Sequence, residues 1–252
     1  MFYNCRALTA GPELPATTLA ESCYSGMFKY CKSLKYPPKS LPATDLSNYC
    51  YKAMFYGCTS LESVPQMHNL KLKGASCHSM FYNCSNIVSG SNITIDSFEW
   101  NSCEGMFKSC SKLAVIPTIN TGILKSASCR GMFEDCTSLY NVSWLTITEV
   151  QKESCKNMFT DCVNLEYSPL LLASTLAESS YYEMFLRCTK LMNVTMTAYD
   201  ITATDCLSDW VSGSSELGIF TKHPYMNDLP YGVSGIPDNW IIVNDCDIHD
   251  GY

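Results

Sequence analysis

Sixteen cysteines are the residues best equipped for chemistry in this 252-residue chain. Thiols can cross-link, hold a soft metal or act as nucleophiles, and each use demands its own spacing. Eight of them recur at near-fixed intervals: Cys5, Cys31, Cys58, Cys84, Cys110, Cys136, Cys162 and Cys188. Six more, Cys23, Cys50, Cys77, Cys103, Cys129 and Cys155, each precede a member of the first set by seven or eight residues. Ser180 stands at the matching place late in the chain, Cys206 continues the series, and Cys246 lies outside both.

On a helix the two cysteines of one unit would lie roughly 10–12 Å apart, beyond the ~7 Å Cα limit for a disulfide. Equivalent cysteines of stacked units would lie near ~4.8 Å, but their Cβ vectors would run parallel rather than converge. The regular spacing therefore points to columns of free, buried thiols that act as small hydrophobes. Disulfides and a metal site are the alternatives. Metal is the weaker one: no Cys-x-x-Cys pair occurs, and the histidines at 68, 78, 223 and 249 hold no ligand spacing. No catalytic set emerges either. His78 follows Cys77 at a place where other units carry Glu104, Arg130 and Lys156, which marks a surface position. Asp245, Asp247 and Asp250 before Gly251 resemble the start of a calcium loop, but no closing Glu follows, so they read as a solvated tail. No enzyme activity and no cofactor are expected.

The elements that carry these thiols are repeats. Met-Phe, two variable residues, Cys, two more and then Leu or Ile begins at Met1, Met27, Met54, Met80, Met106, Met132, Met158 and Met184. Six of the seven steps are 26 residues and one is 27. A unit that short cannot bury its own apolar face, so a fixed period of this size means stacked coils. In Cys103–Ile119, Cys103, Phe107 and Cys110 sit at offsets of a single helix face, which predicts a short helix. Leu113, Ile116 and Ile119 then predict a short strand, ending near the position of Pro12, Pro38, Pro65, Pro117 and Pro169. Eight of the ten Phe fall in one column, from Phe2 to Phe185, and serve the core first.

The run Met54 to Pro65 resembles the BspA-like, Treponema-type leucine-rich repeat. Here Met replaces the Ala of that motif, a second cysteine column is added, and the period is longer. The resemblance covers about residues 1–200. It implies an α/β right-handed solenoid, a parallel sheet on one side and short helices on the other. It also implies adhesion or recognition at bacterial cell surfaces, in gut bacteria or their phages. Residues 201–252 read as a degenerate last coil and cap. Cys206 and Trp210 begin that coil, turn residues follow, and Trp240–Val243 predicts a strand. Trp210, Phe220, Tyr225 and Trp240 are expected to cover the end of the core.

Net charge of −7 without a Lys/Arg cluster argues against nucleic acid. No apolar run approaches the ~18 residues of a membrane span, and no signal peptide is visible. The first coil lacks a polar cap, so either the chain is a fragment or another subunit covers that coil. Two residues after each motif Leu or Ile come variable positions, Tyr36, Ser63, Val115, Asn141, Tyr167 and Asn193 among them. Tyr offers contact area and a hydroxyl at low entropic cost. These positions are the candidate binding surface for a protein or glycan, unless the tyrosines only pack between coils. The competing expectation is a structural subunit, such as a phage tail or capsid decoration protein.

Overall fold

The computed structural model describes residues 1–227 and 229–246. The predicted Asp247, Asp250 and Gly251 lie outside them. The chain winds as a stack in which every β pairing among the described residues is parallel and, apart from the local Tyr231–Ile236 bridge, links one coil to the next. One sheet joins β1 (Met67–Lys71), β2 (Ile93–Ser97) and β3 (Thr118–Ile119) in that order. A second pairs β4 (Ile123–Leu124) with β6 (Glu149–Val150). The largest runs from β5 (Thr146–Ile147) through β7 (Tyr167–Leu171), β8 (Asn193–Met196) and β9 (Gly218–Lys222) to β10 (Trp240–Asn244).

The predicted helices are absent among the described residues, and the coil is all-β. Their segments are chains of turns instead, for a backbone reason. Three residues per coil, spaced by four, take left-handed φ: Ala75, Ser79 and Asn83 in the fourth coil, at 51°, 52° and 56°. A helix cannot pass through such residues. Amide N–H groups then alternate between two destinations. Ser76, His78, Met80, Tyr82 and Cys84 donate to carbonyls three residues back, as β-turns do. Ala75, Cys77, Ser79, Phe81 and Asn83 donate to the next coil, at Trp100, Ser102, Glu104, Met106 and Lys108, over 2.8–3.0 Å. The offsets of three, four and seven read as helical are equally the offsets of this turn ladder.

The strands differ in part from expectation: single bridges at Ala10–Tyr36 and Ser89–Val115 precede the prolines, but longer pairings extend beyond them. β1 starts two residues after Pro65 and β3 directly after Pro117. Pro169 lies inside β7, at the register shift between Tyr167 and Leu170, where a missing N–H is tolerated.

Stacked side chains form the core. The rings from Phe2 to Phe185 follow one another at 5.2–6.0 Å with interplanar angles of 2–17°. That offset-stacked range favours aromatic pairs. Trp210 continues the column at 6.4 Å from Phe185, and its indole N–H donates to the Gly235 carbonyl at 2.7 Å. Phe220 and Trp240 are buried beside it, whereas Tyr225 is 82% exposed and covers nothing.

All sixteen cysteines are unpaired thiols, thirteen of them buried. The second cysteine series proves to be two adjoining columns. Cys23, Cys50 and Cys206 align with Ser76, Ser102, Ser128, Ser154 and Ser180, while Cys77, Cys103, Cys129 and Cys155 align with Tyr24, Tyr51 and Tyr181. Ser180 therefore replaces no member of the column that holds Cys155.

Candidate recognition surface

The variable positions after the motif Leu or Ile do share one face, and the backbone register shows how. Asn141 bridges to Tyr167, Tyr167 pairs with Asn193, Asn193 with Ile219, and Ile219 with Ile241. Tyr36 is bridged to Ala10 and Val115 to Ser89. Ser63 holds the equivalent place, exposed, without a bridge partner among the described residues. Strand alternation explains the outward aim. In β8, Val194 and Met196 are buried while Asn193 and Thr195 are half-exposed.

Beside Tyr36, Lys35 binds Glu62 of the following coil at 3.1 Å, and its ammonium lies 5.4 Å from the Tyr36 ring. The Glu62 hydrogen bond foremost, then Tyr36, raises the lysine pKa. This N-terminal stretch of the face is thus polar and charged.

Further along, exposed aromatic and aliphatic side chains alternate with uncharged polar ones. A second row, Thr146, Leu170, Thr195, Thr221 and Val243, runs alongside the first. Tyr140 and Trp144 are each 56% exposed, and Tyr167, Leu170, Met192, Ile219 and Ile241 are exposed too. Sequence reasoning named Tyr167 and missed Tyr140, Trp144, Leu170 and Ile219. The signal was present one and five residues after the motif Leu, where Tyr140, Met192 and Trp144 are apolar and nothing in the repeat requires them.

The opposite, turn-bearing side is electrostatic. Glu104 accepts from His78 Nδ1 at 3.3 Å, from Asn101 Nδ2 at 2.7 Å and from Arg130, which also binds Glu153 at 2.9 Å. Burial acts to raise the Glu104 pKa, but the hydrogen bonds from His78 and Arg130 outweigh it and hold the carboxyl at about 2. Lys108 binds Glu134 at 2.6 Å and Arg187 binds Asp161 at 2.5 Å, each one coil apart. The neighbour of His78, Cys77, is fully buried and points away from it into the core. No group of three metal-ligating side chains occurs among the described residues, and no helix there is long and apolar enough to cross a membrane.

No protein-family profile matches the chain, and no curated protein matches it in sequence. Its fold is similar to the crystal structure of a leucine-rich repeat protein from Bacteroides ovatus ATCC 8483, with a TM-score of 0.53 at 15% identity. The likeness covers 99% of this chain and 66% of that one, so the chain spans just under two thirds of the other's length. The architecture is a leucine-rich-repeat-type solenoid, read from parallel sheets and coil stacking.

Proposed function

We propose that this solenoid is a non-enzymatic recognition module of the adhesive, cell-surface kind, and that its sheet face binds a protein. One observation carries the reading: Tyr140, Trp144, Tyr167, Leu170 and Ile219 are exposed on neighbouring coils of one sheet face, with Asn193 and Thr195 between them. Contiguous exposed apolar patches rimmed by polar residues mark interaction sites. Tyr and Trp dominate the energetics of such sites. The sequence-derived positions Tyr36, Ser63, Val115, Asn141 and Asn193 continue the surface as its more polar part. The segment from residue 201 serves as the cap of the stack, a role supported by the burial of Trp210, Phe220 and Trp240.

An array of extracellular proteins tests this. The native chain is expected to retain at least one of them, and Tyr167→Glu with Leu170→Glu is expected to lose it. Retention unchanged by both substitutions would remove the sheet face from the reading.

A second reading, a structural subunit of a larger assembly such as a phage particle, is favoured by β10. Among the described residues that strand pairs only with β9, and Ile241 is 65% exposed. Unpaired strand edges are templates for association. Light scattering separates the readings, since a monomer at all concentrations removes the assembly.

A further inference from the structure

The turn-bearing side divides into two halves of different charge. The turn segments 1–7, 21–33, 48–60 and 74–86 contain Arg6, Lys29, Lys32 and Lys52 against a single acid, Glu21. From Glu104 onward every such segment carries acid, through Glu134, Asp161, Glu183 and Asp205. The net charge of −7 conceals this division.

The cationic half is also where tyrosines line up. Tyr3 meets Tyr30 edge-on at 5.9 Å, Tyr30 meets Tyr56 edge-on at 5.4 Å, and Tyr56 stacks on Tyr82 at 4.6 Å. Lys29 spans two of these rings, 5.3 Å from Tyr30 and 4.5 Å from Tyr56. Lys52 lies 5.3 Å from Tyr49 on the adjoining turn. Gly57 makes the row possible. A Cβ there would sit 2.7 Å from the Tyr30 ring, and at φ of 72° a side chain would be strained as well. Burial first, then the neighbouring phenols of Tyr82 and Tyr30, raises the Tyr56 pKa above the ordinary phenol value. The row therefore presents phenolic O–H groups at one coil per step, with the ammonium groups of Lys29, Lys32 and Lys52 gathered over its second and third coils.

From this row we propose that the turn-bearing side of the first four coils binds an acidic glycan, its sulfate or carboxylate groups set on Lys29, Lys32, Lys52 and the tyrosine hydroxyls. Spacing selects the ligand class. The phenolic donors recur at about the coil pitch of ~4.8 Å, close to the advance per ring of an extended sugar chain, and the lysines supply positive charge over two of those steps. Side chains on one face of an extended peptide recur at roughly 6.6–6.8 Å, and phosphates of a nucleic-acid duplex at about 3.4 Å per strand. Neither stays in step over four coils. The acid that begins at Glu104 limits the footprint to about three or four rings. This surface is distinct from the sheet face, so it stands or falls separately from protein recognition there.

Calorimetric titration of the full chain at low salt tests the proposal, using a heparin tetrasaccharide and a hyaluronate oligosaccharide as probes. At least one is expected to bind, and to weaken about tenfold or more between ~50 and ~300 mM salt. Lys29→Gln with Lys32→Gln is expected to weaken it about tenfold, and Tyr56→Phe severalfold, while Lys190→Gln on a distant coil leaves it unchanged. These side chains are at least partly exposed, so their variants should melt with the native chain. The salt series on unaltered protein decides the same question without any variant. Absence of binding to both oligosaccharides overturns the proposal. So does equal binding of poly-glutamate or an oligonucleotide, or an equal loss with Lys190→Gln.

Discussion

The thiol of Cys110 donates to the main-chain carbonyl of Phe81, one coil earlier, at 3.1 Å. That carbonyl already accepts the Cys84 N–H at 3.0 Å, so both of its lone pairs are engaged. The relation repeats from Cys31 on Phe2 to Cys188 on Phe159, within 2.9–3.2 Å. The motif cysteine thus combines a core hydrophobe with a donor that spans two coils. Cys110→Ala should cost about 1–2 kcal/mol in lost sulfur contacts and a weakened acceptor. The same change at exposed Cys23 should stay within ~0.5 kcal/mol. Equal costs in chemical denaturation would sink the idea.

Buried thiols make the fold sensitive to alkali. Burial pushes Cys50, Cys58, Cys110 and Cys129 up to about 12, and most of the other buried thiols are raised as well. A folded pKa above the unfolded one means stability that is complete below about pH 8.5 and lost as pH rises. Each thiol contributes ~1.4 kcal/mol per pH unit above that point. Ten or more acting together would exhaust a typical 5–15 kcal/mol within roughly one or two units. Melting in reductant should therefore fall steeply between about pH 8.5 and 10.5. A flat profile there would show that the thiols meet water. In native buffer at neutral pH, a thiol reagent should reach the exposed Cys23 and Cys246 first.

Several buried hydroxyls have no partner among the described residues: Tyr51 and Tyr181 in one column, Ser102 and Ser180 in the next. An orphaned buried hydroxyl costs free energy that its removal recovers. Tyr51→Phe and Ser102→Ala should leave the melting temperature unchanged or raise it, by up to about 1 kcal/mol in stability. A clear loss in both would mean that ordered water or a thiol satisfies these oxygens.

Glu104 sets the acid limit of the turn-bearing side. Its folded pKa of about 2 lies below the unfolded value near 4.5, so its contribution is present above pH 4.5 and fades as pH falls towards 2. Glu104→Gln should cost on the order of 2 kcal/mol at neutral pH and little at about pH 2.5. Urea titrations across that range would show the two curves converging. Parallel curves would place the effect in packing instead.

The stack was legible in the chain because its register is written in residues that allow few substitutes. Phe at every coil, Cys three residues later and Leu or Ile three beyond fixed the columns, and the outward positions followed from them. The helix reading failed at Ala75, Ser79 and Asn83, since apolar spacing does not report the sign of φ. A better clue was Gly, Asn, Asp or Ser at many of these fourth places, as at Gly105, Ser109, Gly131 and Asp135, though Ala, Tyr, Glu or Arg fills others. The cysteine series was read as one column because Cys50 and Cys77 differ by a single residue in register. The exposed apolar side chains around Trp144 escaped because they gather across coils, from positions that no single unit marks as special.

The ladder of alternate amides has a consequence for how such a chain can change in length. Every contact between neighbouring coils joins positions about one period apart, so the join itself carries no memory of which coil it follows. Loss of residues 81–106 would leave Met80 followed by Phe107, restore the motif, and set Phe107 on Phe55 with Cys110 facing the Phe55 carbonyl. Loss of one residue fewer would leave a 27-residue step from Met54 to Met106, the length that already separates Met27 from Met54, where Phe28 still stacks on Phe55. Recombination between coils can therefore shorten or extend the stack in whole periods while the core re-forms, and selection acts on the surfaces such exchanges bring side by side.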